Sequence, residues 1–472
     1  MSESQESIFS RMPLLPSERE YGTLGANSTC FAYGVATWCF LTGGYVAELV
    51  GAVEALICLV AGNMIGVFLA SLPLSFVCQR NGLEQVDVCK PAFGSKGIIV
   101  VLFLYLVNML GWSGLILVMF GNGIRNIALA LGYDVGDWVV SLGVILGIVL
   151  SYLIVTRGVG MLNRFNGLIT PGLVLLVAFL LYMLFAEHGW EAITQAAPLS
   201  PGPSPAVNYL IAVELGIASG FSWWGGIGFL ARNTRTRRNS IYPEVLQLGF
   251  SSGAVCAAGS FSALIVGSSD PTEWMVPLGG VLMGVIALVF VALANVTSTA
   301  VSVYASGLAL RHLRVFRSAG WKWVVCATLI PCLPFAVWPG ELSNLGDAFL
   351  AYNGTMYAPI SGILLVDYFF LRRQKISLWS IFEDDKTGRY HHVRGINWLA
   401  FAALLAGQAL YVFLYNPFSG ATHEWLETLN PSLGSFVFSG ALYGVGMLVI
   451  GRGRRPEPVP EVESGPLIQP NI

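Results

Sequence analysis

The stretch 207–238, VNYLIAVELGIASGFSWWGGIGFLARNTRTRR, decides how this chain is read. It opens as an apolar run carrying one acid, Glu214. It breaks over residues 219–226 around Trp223 and Trp224, recovers apolar character through Leu230, and ends on Arg232, Arg235, Arg237 and Arg238. Gly220, Gly225 and Gly226 each lower helix propensity by about 1 kcal/mol relative to alanine. Non-helical backbone at membrane depth survives only where it is buried in protein or lines a polar cavity. Two tryptophans at such a break offer flat faces to a planar ligand. The stretch therefore predicts a broken membrane helix that holds half of a midplane substrate site. The competing reading is a close helix contact permitted by glycine, with the tryptophans as packing.

Working outward, the whole chain carries the same signature. Its 472 residues are 55% hydrophobic and only 11% charged, too few charges to cover a soluble surface of that size. The apolar residues fall into runs of about 20, the length that crosses roughly 30 Å of hydrocarbon. Twelve spans are expected, near 29–47, 51–77, 97–120, 138–156, 167–186, 207–230, 245–267, 277–309, 321–338, 349–371, 396–415 and 434–451. Residues 1–27 lack the apolar core of a signal peptide, so the first span is expected to stay. Six cysteines lie in spans (Cys30, Cys39, Cys58, Cys256, Cys326, Cys332), and Cys78 and Cys89 fall on the inner side, so no disulfide framework is implied.

Basic residues set the orientation. With the N-terminus inside, the inner segments carry Arg11 and Arg19; Arg80, Lys90 and Lys96; Arg157 and Arg164; and Arg232, Arg235, Arg237 and Arg238. They continue with Arg311, Arg314, Arg317 and Lys322; Arg372, Arg373, Lys375, Lys386, Arg389 and Arg394; and Arg452, Arg454 and Arg455. That places 24 of the 25 basic residues inside, with only Arg125 outside. Both termini are expected in the cytoplasm, with the protein in the plasma (inner) membrane.

Span six also marks a repeat. Spans one to five (residues 29–186) and six to ten (207–373) form two units of odd span number, so the second is inverted relative to the first. Residues 1–28 form an N-terminal tail, 374–395 a cytoplasmic loop, 396–451 two further spans, and 452–472 a C-terminal tail. Span one matches span six in position and contains Thr42-Gly43-Gly44, which predicts its break there, with unwound carbonyls able to face a cation; the competing reading is a close helix crossing at small residues. Span three carries Asn108 and then Trp112 between small residues. Span eight carries Asn295, Thr297, Ser298, Thr299 and Ser302, oxygen ligands suited to a small alkali cation; the competing reading is hydrogen bonds back to carbonyls of the same helix or to a neighbouring one. Span ten carries Asn353 and ends on Asp367, spaced to pair with Arg372 or Arg373.

The five histidines, His188, His312, His391, His392 and His423, all fall in loops or at span ends. With no HExxH, no paired intramembrane aspartates and no nucleotide loop, the chain is expected to be no enzyme and no pump. Glu214 is read as the sole acid well inside a span. Such a residue is a functional hypothesis by default, as proton carrier or ligand contact, against a carboxyl hydrogen-bonded into the scaffold.

Residues 362–373, GILLVDYFFLRR, are similar to the end of span ten in the nucleobase–cation symporter family, the cytosine, allantoin and hydantoin permeases. Gly388-Arg389-Tyr390 and 395–400, GINWLA, resemble its entry to span eleven. The resemblance implies that a span-three and a span-six tryptophan sandwich a flat heterocycle; Trp112 takes the first position and Trp223 or Trp224 the second. The family's span-three glutamine falls on Ile116. Its span-eight asparagine falls on Thr299, and its paired sodium-site hydroxyls fall on Leu293 and Ala294, with Thr297 and Ser298 available in a shifted register. Its span-six exit is reduced to Asn233-Thr234-Arg235. The implied ligand set is Trp112, Ile116, Glu214, Gly220, Trp223, Trp224 and Thr299. The implied cation set is Thr37, Phe40, Ala294, Thr297 and Ser298.

The sequence therefore reads as an all-α membrane protein of twelve helices, a five-plus-five inverted repeat with helices one and six broken. It is expected to import a small planar heterocycle coupled to Na⁺ or H⁺, with no organic cofactor and no nucleic-acid partner. An amino-acid or amine carrier on the same fold, or a ligand sensor that does not transport, is the alternative.

Overall fold

The computed structural model describes residues 13–382 and 388–451. Arg11 with the start of the N-terminal tail, Lys386 in the cytoplasmic loop, and the tail 452–472 lie outside the described residues. Among the described residues the chain is helical, with only isolated β-bridges. Apolar residues such as Ile57, Phe68, Leu175, Leu282 and Val445 stand fully outward, as a lipid-facing belt requires.

In chain order the principal helices begin with α1 (Thr23–Gly34), α2 (Thr37–Leu49), α3 (Ala52–Asn81), α4 (Gln85–Phe93) and α5 (Ile98–Ala130). Next come α6 (Trp138–Thr156), α7 (Val159–Met183), α8 (Pro205–Ser222), α9 (Trp224–Arg232) and α10 (Arg237–Val266). The remainder are α11 (Met275–Leu310), α12 (Trp321–Val337), α13 (Gly346–Leu371), α14 (Trp398–Leu414) and α15 (Pro431–Gly451). Nine are long and apolar enough to cross a membrane, and the bent pair α1–α2 makes up to ten among the described residues. α12 and α14 occupy expected spans nine and eleven as shorter apolar helices.

The packing repeats as an inverted architecture demands. α3 lies along α8, and α10 lies along α2, so span two meets six as span seven meets one. α5 and α11 pack against each other, with α6, α7 and α12 around them, while α13, α14 and α15 form a third group. The first group crosses at small residues. A Cβ on Gly216 would collide with the Cys58 carbonyl, and one on Gly220 with the Asn63 carbonyl. Such close approach is what van der Waals packing between membrane helices needs.

Of the two predicted breaks, the first is a true bend set away from Gly43-Gly44, while the sixth span, Pro205–Arg232, runs as one span with only a local interruption inside 219–226. The first span bends by 53° between α1 and α2. Val35 (φ −93°, ψ 89°) and Ala36 (φ −135°, ψ 159°) leave the helix, ahead of Gly43-Gly44. Cys39 stabilises the break, its Sγ donating to the Gly34 carbonyl at 3.2 Å and its N–H to the Ala36 carbonyl at 3.1 Å. Gly43 and Gly44 stay helical and serve close packing, since Cβ atoms there would strike the Cys256 and Ser269 carbonyls. In the sixth span the interruption is a single residue, Trp223, whose carbonyl accepts from Gly226 at 2.8 Å and Ile227 at 3.1 Å. The second alteration is at the N-terminus: the first helix starts at Thr23. The residues ahead of it are tied down through Leu14 N–H to the Gly82 carbonyl and Tyr21 N–H to the Asn233 carbonyl.

Candidate substrate and cation sites

Trp38 is the second residue of α2, directly after the break at Val35 and Ala36 in the first span. Its ring lies 5.1 Å from that of Trp112 (interplanar 58°) and 5.0 Å from that of Trp223 (64°). Trp112 is further edged by Phe349 at 5.4 Å. All three tryptophans are buried but retain 7–8% exposure, so the cluster borders open space. Trp112 on α5 and Trp223 at the break between α8 and α9 are thus brought together, with Trp38 bridging them. Trp38 lies in expected span one, but sequence reasoning gave it no role. Its position beside a break is the signal that could have found it.

The other expected ligand residues scatter. Trp224 is fully buried and stacked on Tyr357 at 4.9 Å and 9°, a packing role. Gly220 serves the α3–α8 crossing. Ile116 is buried one turn beyond Trp112 on α5. Thr299 is fully buried with its Oγ1 lacking a hydrogen-bond partner. Glu214 lies nine residues before Trp223 in helix, about 13 Å along the axis. Its carboxylate accepts from Tyr411 Oη (2.8 Å), Ser432 N–H (3.1 Å) and Ser432 Oγ (2.5 Å), all from α14 and α15. That arrangement is the scaffold reading. Nor is Glu214 the only buried acid in a span: Glu244 is 1% exposed and accepts from Ser75 Oγ, because α10 begins at Arg237 rather than near residue 245.

The expected cation residues converge in part. Thr37, the first residue of α2, donates its hydroxyl to Asn295 Oδ1 on α11, which puts the break directly beside span eight. Thr297 Oγ1 donates to the Ala294 carbonyl at 2.9 Å, and Ser298 is half-buried alongside. Asn295 Nδ2 is a buried end without a partner. The oxygens gathered here are carbonyl, hydroxyl and amide, the hard donors an alkali cation takes. Phe40 lies elsewhere, its backbone against Gly259 of α10 and its ring edge-on to Trp274 at 6.3 Å.

The two ends of the molecule differ. At one end a cavity of about 360 Å³ opens, lined by Tyr45, Glu48, Asn122, Asp270, Asn344 and Asp347. Its deeper wall includes Leu41 and Leu115, one turn beyond Trp38 and Trp112, so it leads toward the tryptophan cluster. At the other end α4 ties the helices together. Glu84 pairs with Arg232 at 2.6 Å, Gln85 Nε2 donates to the Gly225 carbonyl at 2.6 Å, and Asp87 faces His312 at 3.5 Å. Arg372 there pairs with Asp367 at 2.6 Å, as its spacing predicted, and donates to the Pro91 carbonyl at 2.7 Å.

Residues 18–429, most of the chain, match the family described as permeases for cytosine/purines, uracil, thiamine and allantoin. The chain belongs to that permease family. The permease is 22% identical to a hydantoin permease of Microbacterium maritypicum over 85% of its own length and 83% of that protein's. It is 23% identical to a purine-uracil permease of Arabidopsis thaliana, over 93% of its length and 77% of the relative's. Its fold matches the inward-facing structure of Mhp1 with a TM-score of 0.81 at 17% identity, covering 94% of each chain. The permease is thus an integral membrane protein with the architecture that its composition and repeat imply.

Proposed function

We propose that the permease imports a small planar heterocycle, a nucleobase, hydantoin or allantoin-like ring, by alternating access coupled to Na⁺ or H⁺. The observation that carries this is the aromatic slot: Trp112 and Trp223 come from different spans and converge on one position, held by Trp38, beside the break in the first span. A ring the size of a nucleobase has two flat faces and can replace Trp38 between the walls, stacking on each. The cavity lined by Glu48, Asp270 and Asp347 supplies its approach from outside. The α4 network forms the cytoplasmic closure that must release for the ring to leave. In this reading both termini are cytoplasmic in the plasma membrane, and Ile116 and Thr299 border the ligand.

Thr37, Ala294, Thr297 and Ser298 would hold a coupling Na⁺ that bridges the broken helix to α11. The cation would favour the arrangement in which those two elements touch, which is how its downhill entry is spent on ligand uptake. Proton coupling would instead need a carboxyl in contact with the moving helices, and Glu244 between α3 and α10 is better placed for it than Glu214.

The test is uptake of radiolabelled cytosine, uracil, allantoin and hydantoin in cells lacking their own carriers, with and without Na⁺. One ring should accumulate, and Trp112→Ala and Trp223→Ala should each reduce affinity roughly tenfold or more, the scale of one ring–aromatic stack. Accumulation of amines or amino acids instead, unaffected by Trp112→Ala, would move the carrier reading favoured by the acid-lined cavity ahead.

A further inference from the structure

Asn108 on α5 and Asn353 on α13 are both fully buried, and the Asn108 amide nitrogen donates to Asn353 Oδ1. The direction of that bond is fixed by the rest of the network. Asn353 Nδ2 already donates to two carbonyls of its own helix, Phe349 at 2.8 Å and Leu350 at 3.2 Å, so its oxygen must face Asn108. Turning the Asn108 amide would set oxygen against oxygen. The consequence is that Asn108 Oδ1 is a buried acceptor with no hydrogen-bond partner. An acceptor left that way is costly, and native proteins leave few of them unexplained.

Its place in the fold gives the explanation. Asn108 precedes Trp112 by one helical turn, and Phe349 precedes Asn353 by one turn, so both pairs share a helix face. The Trp112 and Phe349 rings touch at 5.4 Å. The orphaned oxygen therefore sits one turn from a wall of the aromatic slot. In the other direction along α5 the equivalent position is the apolar Ile116. Along α5 the polar position lies on one side of Trp112 only.

We infer that Asn108 is the specificity-determining acceptor of this permease: its Oδ1 takes a hydrogen bond from a ring N–H of the heterocycle stacked on Trp112. This rests on the proposed heterocycle slot. It restricts the ligand to rings that present a lactam or imide N–H at their edge, and it disfavours rings whose edge there is an acceptor or is alkylated. Asn353 is the positioning residue, since its two helix carbonyls hold the amide orientation that frees the Asn108 oxygen.

The test pairs ligand and protein changes. Binding to the purified, detergent-solubilised protein is measured for uracil and hydantoin and for each of their singly ring-N-methylated derivatives, with wild type, Asn108→Leu and Asn108→Thr. Methylation at one nitrogen should weaken binding to wild type roughly tenfold or more, and methylation at the other much less. In Asn108→Leu the two derivatives should bind alike, and Asn108→Thr, which keeps an acceptor, should fall between. If wild type is indifferent to which nitrogen is methylated, or if the preference survives in Asn108→Leu, the acceptor is satisfied by water alone and the inference falls. Should either variant fail to fold, the methylation preference of wild type still decides. Failure of wild type to bind any flat heterocycle would instead sink the slot reading beneath it.

Discussion

At the residue scale, burial and function part company at Glu214. An acid at membrane depth invites a functional role, yet its hydrogen bonds come from Tyr411, Asn430 and Ser432 rather than from the tryptophan cluster. Removing it would strand the buried Ser432 N–H and hydroxyl, at about 1–3 kcal/mol for each unsatisfied group. Glu214→Ala should therefore lower the thermal midpoint of the detergent-solubilised protein by several degrees. The affinity of its folded fraction for ligand should stay within about 0.5 kcal/mol of wild type, as expected of separated sites. A variant of unchanged stability that no longer binds ligand would put Glu214 in the site. Trp223 and Trp224 make the same point as neighbours in sequence. One contacts Trp38 at the edge of open space, and the other stacks on Tyr357 with no exposure at all.

At the scale of elements, glycine marks contact more often than it marks a break. Gly62 and Gly66 of α3 meet Gly216 and Gly220 of α8 so closely that a methyl at any of them would overlap the facing backbone. The Gly220 position that the sequence places in the ligand site is thus a helix crossing. Gly220→Ala should force α3 and α8 apart and cost about 1–3 kcal/mol, the usual penalty of overpacking. Thermal unfolding of that variant beside Gly226→Ala gives the comparison, since a Cβ on Gly226 meets nothing within 4 Å. Equal loss at both positions would refute the crossing. The break in the first span is fixed by something no glycine announces: Cys39 satisfies the carbonyls freed at Gly34 and Ala36.

At the scale of the molecule, the ends carry opposite character. The segments bearing Arg19, Arg80, Arg232, Arg235 and Arg372 meet at one end, through Arg19 to the Arg80 carbonyl (3.4 Å) and Arg80 to the Gln374 carbonyl (3.2 Å). The acid-lined cavity lies at the other. The positive-inside rule predicts that the first end is the cytoplasmic one. A membrane-impermeant maleimide applied to intact cells should label Asn344→Cys at the cavity mouth and leave Arg238→Cys unlabelled until the cells are opened. Seven of the eight native cysteines are buried and Cys326 is half-buried, so background labelling should be low. Labelling in the reverse order would invert the assigned topology.

Properties that are local along the chain were legible without a structure. Apolar run length and low charge determined a helical membrane protein, the spacing of basic residues predicted an alternation of sides, and residues 362–373 and 388–400 pointed to the permease family. Trp112 and Trp223 could be named because a tryptophan among small residues in an apolar span is itself a local pattern. What only the tertiary structure decided is which groups satisfy one another across long separations. Glu214 finds Ser432, 218 residues away, and Thr37 finds Asn295 across 258. Asn108 is left with a free oxygen only because Asn353, 245 residues on, has spent its amide on its own helix. Helix periodicity sets the face on which a polar group sits, but the partner that meets that face is chosen by packing.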